Sequence, residues 1–220
     1  MSTAIRAAFF DMDRTLVSKD TATLYARYRR DIGEATWRDT LRVAWWMLTY
    51  TAGVIDAQRV ALRALQEFRG KQESLLISSC EDWFQSYVLK HVSAAGRLAV
   101  EEHRSLGEIP ILITGATPYA ARPLARELGI EHVLCTELDV DEGGRLTGKL
   151  REPMCYGVGK IELARRIAAR EGFELEQATF YSDSITDLPL FECVRNPVTV
   201  NPDLRLRRIA QRRGWRIVQW

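Results

Sequence analysis

Four short apolar runs, at residues 5–10, 109–113, 179–181 and 198–200, each stop at polar or turn-forming residues. Each has the length of a strand rather than a helix. Helical patterns with recognisable ends lie between the later runs. Thr117 stands at an N-cap position before Pro118, Gly129 falls just past the far end, and a pattern at 160–170 closes before Gly172. Strands alternating with helices predict an α/β chain, a doubly wound, Rossmann-like parallel sheet with helices on both faces. One stretch, "CTELDVDEGGRLTGKLRE", breaks the rhythm, because Gly143 and Gly144 between alternating segments suggest a hairpin.

Between the first run and the second only helical signals are found: 21–32 before Gly33, 37–51 before Gly53, a helix opened by Asp56 and stopped at Gly70, then 73–91, and 93–106 before Gly107. The simplest architecture is an α/β core made of residues 1–18 and 92–220, with a helical cap inserted at 19–91; 220 residues are enough for both. The most apolar segment, "LRVAWWMLTYTAGVI", lies in that insertion. Its longest stretch without a charge, 43–55, falls short of the ~20 residues needed to cross a bilayer, so no membrane span is expected. It suits a buried cap helix, or a surface facing substrate or a second copy in a homodimer through the cap.

Thirty-one basic against twenty-nine acidic residues give a net charge of +2 and a pI near 8.4. That balance argues against nucleic acid as a partner. The four cysteines form no CxxC pair and have no histidine at metal-ligand spacing, so neither a zinc site nor a disulfide framework is indicated. His91, His103 and His132 have no partner in the sequence pattern and read as surface or structural residues. The opening "MSTAIRAAFFDMD" lacks a signal-peptide apolar core, since Asp11 interrupts it, and a cytoplasmic location is expected.

Ligands of open α/β sheets bind at the carboxyl ends of the strands. The residues that follow the predicted strands are Asp11, Asp13 and Thr15, then Thr114 and Gly115, then Asp183 and Asp187. Lys160, at the start of the helix before the third of these strands, can approach the same edge. Gathered aspartates make an oxygen-rich site for a hard divalent cation such as Mg²⁺, which takes carboxylates together with water and substrate phosphate. An ionised Asp11 is then a nucleophile, Asp13 an acid and base, and the Thr114 hydroxyl and Lys160 ammonium are donors to oxygens gathering charge. Such a set suits phosphoryl transfer through an aspartyl-phosphate.

"DMDRT", "LITGA", Lys160 and "SDSITD", in that order, resemble the four signature motifs of the haloacid dehalogenase superfamily of phosphatases. The helical insertion after the first motif and the spacing from Lys160 to Asp183 are most similar to its phosphoserine-phosphatase-like branch. The resemblance implies that Asp11 attacks phosphorus, that Asp13 protonates the leaving oxygen and later activates water, and that Thr114, Gly115 and Lys160 hold the phosphoryl group. It implies Mg²⁺ bound by the Asp11 carboxylate, the Asp13 carbonyl and Asp183, with Asp187 in support. Asp20 falls where serine-specific relatives carry a substrate-reading glutamate, and it also reads as the N-cap of helix 21–32. Arg59 and Arg63 are candidates by position for the cap arginine that reads a substrate carboxylate. Arg14 stands where the family most often has glycine or a small residue.

The expected function is therefore Mg²⁺-dependent hydrolysis of a small phosphorylated metabolite. Two competing functions fit parts of the same pattern: phosphotransfer to an acceptor alcohol, and a non-catalytic scaffold that binds through the apolar cap around Trp45 and Trp46.

Overall fold

The computed structural model describes residues 5–36 and 66–220. The expected helix at 37–51, most of the helix opened by Asp56, the apolar stretch 43–55 and the candidates Arg59 and Arg63 lie outside the described residues. The described chain falls into two compact units. One comprises residues 1–18, 91–136 and 153–220; the other comprises 19–90 and 137–152.

The first unit is built on a six-stranded sheet in the order β3-β2-β1-β6-β7-β8, parallel throughout. Its strands are β1 (Ala7–Phe10), β2 (Ile109–Ile113), β3 (His132–Leu134), β6 (Thr179–Ser182), β7 (Asn196–Val200) and β8 (Arg216–Val218). β1 lies between β2 and β6, with Phe10 opposite Leu112 on one side and Tyr181 on the other. All four of its residues are buried, which explains the continuous apolar run: a central parallel strand is covered on both faces.

On one face Phe9 packs 6.0 Å from Phe173 and joins Ile111, Ile113 and Phe180 against Ala164 and Ile167 of the helix Val158–Glu171. On the other, Phe10 stacks on Tyr181 at 4.7 Å and meets His103 of the helix Ala94–Ser105 edge-on at 5.7 Å. His103 is structural, its Nε2 bonded to the Tyr181 hydroxyl at 2.9 Å and its Nδ1 to Glu108 Oε2 at 2.5 Å. The arrangement is the helix-covered parallel sheet that the sequence pattern predicts.

Helix ends follow local chemistry. Ser93 Oγ accepts the Gly96 N–H at 3.0 Å, opening Ala94–Ser105, and Gly172 closes Val158–Glu171 in the left-handed conformation at φ 75°. Thr117 occupies the cap position of Pro118–Glu127, but its side chain makes no cap hydrogen bond. The helical stretch expected at 73–91 changes pitch: Glu73–Trp83 is α-helical, Phe84–Val88 widens into a π turn, and Leu89–His91 tightens into a 3₁₀ turn.

In the second unit, β4 (Leu138–Val140) and β5 (Leu146–Leu150) form the expected antiparallel hairpin. It is tied to the segment before Glu73 by a bridge between Gln72 and Arg145 and by Gln66 Nε2 donating to the Gly148 carbonyl at 3.0 Å. The hairpin therefore belongs to the same compact unit as the insertion, although Gln66 and Gly148 are 82 positions apart in sequence. No helix of the described residues is long and apolar enough to cross a membrane.

Phe9→Ala removes a fully buried ring from the centre of the sheet. Its expected cost is about 3–5 kcal/mol of stability, measured as a lower midpoint in urea unfolding.

Candidate active site

The loop after β1 carries "DMDRT". The Asp11 N–H extends the ladder beyond the strand, donating to the Tyr181 carbonyl at 2.9 Å. The chain then folds back tightly, with the Val17 N–H on the Met12 carbonyl at 2.9 Å and the Leu16 N–H on the Asp11 carbonyl at 3.4 Å. Arg14 sits in the left-handed region at φ 54°, a conformation that glycine adopts without cost. Among the described residues the buried Thr15 hydroxyl has no hydrogen-bond partner, an orphaned donor beside the two aspartates.

Lys160 reaches the same loop from the first turn of Val158–Glu171. Its placement depends on Gly159: a Cβ there would lie 2.0 Å from the Met154 carbonyl oxygen, so only glycine lets the helix start this close to the preceding loop. Lys160 Nζ donates to Asp11 Oδ1 at 2.7 Å and to Asp187 Oδ2 at 2.8 Å, and all three residues are buried. Ser182, the last residue of β6, adds a hydroxyl donor to Asp187 Oδ2 at 2.6 Å. Burial disfavours the Lys160 charge, but Asp11 and Asp187 outweigh it and hold the ammonium above its ordinary range. Burial pushes the Asp11 carboxyl up to about 6; Lys160 pulls it down while Asp187 pushes it further up.

Asp183, after β6, is pushed up to about 8, first by burial and then by the charges of Asp11 and Asp187, with Arg14 lowering it and Asp13 raising it. Asp11, Asp13, Asp183 and Asp187 therefore crowd one region that Lys160 and Arg14 only partly neutralise. The unrelieved negative charge and the oxygen-only donors fit a hard divalent cation. Among the described residues no three His, Cys, Asp or Glu side chains are grouped to hold a metal. A cation between Asp11 and Asp183 would need backbone oxygen and water to complete its shell.

Thr114, the residue directly after β2, is buried, its Oγ1 accepting the Ala116 N–H at 3.1 Å. Gly115 follows where a Cβ would stand 3.5 Å from the Cys155 carbonyl. Asp20 lies in the other unit. There its Oδ1 takes the Thr23 N–H at 2.8 Å and the Thr23 hydroxyl at 2.9 Å, as the N-cap of Thr21–Asp31. The role of the Ser182 hydroxyl is hidden in the sequence, because a serine at the end of an apolar strand looks like part of the strand. Its place at the head of "SDSITD" was the available signal.

The family model for haloacid dehalogenase-like hydrolase matches residues 8–192. A phosphoserine phosphatase of Mycobacterium tuberculosis is 34% identical over 216 residues, covering 96% of this chain and 70% of the relative. A histidinol-phosphatase of Neisseria meningitidis is 26% identical over 218 residues, covering 97% and 98%. Among solved structures, a protein of unknown function from Bordetella pertussis superimposes with a TM-score of 0.89 at 28% identity, covering 98% of this chain and 99% of that one.

Two outcomes are expected. Gly159→Ala must move a backbone carbonyl, so it should destabilise the chain by on the order of 1–3 kcal/mol, as overpacking does, seen as a lower urea midpoint. Asp11 and Asp183 both titrate higher in the folded chain than their ordinary value of 3.8. The folded state then holds more protons than the unfolded one from about pH 4 up to about pH 8, and their contribution to stability is lost as pH rises across that window. In EDTA, Asp183→Asn should flatten the fall in Tm between about pH 5 and 8, raising Tm at the upper end by a few degrees. Equal slopes for wild type and variant would refute the assignment.

Proposed function

The chain belongs to the haloacid dehalogenase-like hydrolase family, and we propose that it is a cytoplasmic phosphatase that hydrolyses phosphate monoesters of small metabolites through an aspartyl-phosphate on Asp11. The buried contact of Lys160 with both Asp11 and Asp187 carries this reading, because it places a fixed positive charge beside the proposed nucleophile. That charge favours the ionised carboxylate of Asp11 against the cost of its burial.

In this mechanism Asp11 attacks phosphorus as the ester oxygen leaves, and Asp13 gives that oxygen its proton. Asp13 then takes a proton from the water that attacks the aspartyl-phosphate, so that one carboxyl serves as acid and as base. Lys160, the Thr114 hydroxyl and the N–H groups near Gly115 are the donors for the phosphoryl oxygens as charge accumulates. Asp11, Asp183 and the Asp13 carbonyl would hold Mg²⁺, which supplies positive charge to the transferring phosphoryl group. Asp187, bonded to Ser182 and Lys160, keeps the ammonium aimed at Asp11. The names of the two relatives, a phosphoserine phosphatase and a histidinol-phosphatase, favour esters with an amino acid or amino alcohol head group.

With p-nitrophenyl phosphate and Mg²⁺ the chain is expected to release p-nitrophenol. EDTA should abolish the activity, and Asp11→Asn should reduce kcat by about 10³-fold or more, the order lost when a covalent nucleophile is removed. Turnover that ignores EDTA, or an Asp11→Asn variant as active as wild type, would overturn the proposal.

A further inference from the structure

β7 runs out at Val200 into Asn201, Pro202 and Asp203, a segment outside all four motifs. Its two polar side chains turn back onto motif loops. Asn201 Nδ2 donates to the Arg14 carbonyl at 3.2 Å, in the loop that carries Asp11 and Asp13. The same side chain is fixed by Trp220, whose carbonyl accepts from Nδ2 at 3.2 Å and whose N–H donates to Oδ1 at 3.1 Å. Trp220 in turn stacks on Tyr181 at 5.3 Å.

Asp203 grips the other loop twice. Its N–H donates to the Asp183 carbonyl at 2.9 Å, and its Oδ2 accepts the Ile185 N–H at 2.7 Å. Its remaining oxygen, Oδ1, caps the helix Leu204–Arg213 through the Arg205 and Leu206 N–H groups at 2.8 and 2.9 Å. Capping needs only one oxygen, so the bond to Ile185 is additional to it. Among the described residues, Arg14 at φ 54° and Asn201 at φ 43° are the two non-glycine residues in the left-handed region, and they are hydrogen-bonded to each other. A sparsely populated backbone conformation persists where its surroundings hold it in place.

We propose that Asn201 and Asp203 are positioning residues: together they fix the loop bearing Asp11 and Asp13 relative to the loop bearing Asp183, and so set how tightly a divalent cation is held between them. The inference rests on the phosphatase reading for its kinetic consequence, whereas its binding consequence is independent of turnover. Neither residue touches the reacting atoms. Each acts through the backbone of a loop that does, as outer partners of metal ligands do.

Two variants separate positioning from folding. Asp203→Asn keeps an oxygen for the helix cap but sets an amide group against the Ile185 N–H. Asn201→Gly keeps the left-handed backbone and removes the side-chain donor. Mg²⁺ is titrated into the metal-stripped protein and followed by the rise in Tm, and kcat is measured with p-nitrophenyl phosphate. Each variant is expected to keep a metal-free Tm within a few degrees of wild type while its Mg²⁺ midpoint weakens by about 10–100-fold, the range for lost outer-shell partners. The loss of kcat should be partly restored by raising Mg²⁺.

Unchanged Mg²⁺ midpoints in both variants overturn the inference. So does a loss of affinity matched by a collapse of the metal-free Tm, which would show a merely structural role. A wild type that binds Mg²⁺ but turns over no phosphate ester overturns the proposed function alone, and the positioning role is then decided by the midpoints. A wild type that binds no Mg²⁺ overturns both.

Discussion

A single ammonium shared by two buried carboxylates is the interaction on which the candidate site depends. Removing each of these ions from water costs several kcal/mol, and their mutual attraction offsets that cost only when geometry is good and spare lone pairs are satisfied. Here Lys160 contacts Asp11 at 2.7 Å and Asp187 at 2.8 Å, and the Ser182 hydroxyl adds a third hydrogen bond to the cluster. With two acids against one base the trio keeps a surplus negative charge, which, after burial, helps push the neighbouring Asp183 carboxyl up to about 8. The ammonium stays protonated through the physiological range, so it acts as a fixed charge and not as a proton donor.

The sheet order explains why these groups meet. After β1 the chain moves to β2 on one side, and after β6 it moves to β7 on the other. The loops leaving β1 and β6 therefore diverge and open a crevice between neighbouring strands, the switch point where such folds bind ligands. "DMDRT" and "SDSITD" are those two loops. Lys160 comes from a helix that packs under the same strands, and Gly159 permits it to start close enough.

The parts of this arrangement that are legible in sequence are those where a short, continuous apolar run meets a polar stop. β1, β2, β6 and β7 announce themselves in that way, and so do the residues that follow them. β3 and β8 do not. Each has three residues at an edge of the sheet, and none of them is fully buried, so neither length nor hydrophobicity marks them. The pitch change at Phe84–Val88 leaves the helical spacing of apolar residues nearly intact and passes for one continuous helix. Asn201 and Asp203 follow a strand where polar residues ordinarily mean a turn. Their partners, Arg14 and Ile185, are distant in sequence and no spacing rule points to them. Asp20 was legible twice, as a cap and as a substrate reader, and its bonds to Thr23 are those of a cap.

The central position of β1 also has a consequence for the order of assembly. Ala7 pairs with Ile109 and Ala8 with Thr179, so both neighbours of β1 in the sheet are synthesised only after the insertion has followed it. Closing such distant pairings is slow compared with forming local helices. During synthesis "AAFF" must wait as an unpaired, sticky segment, which makes the emerging chain vulnerable to aggregation until β2 arrives.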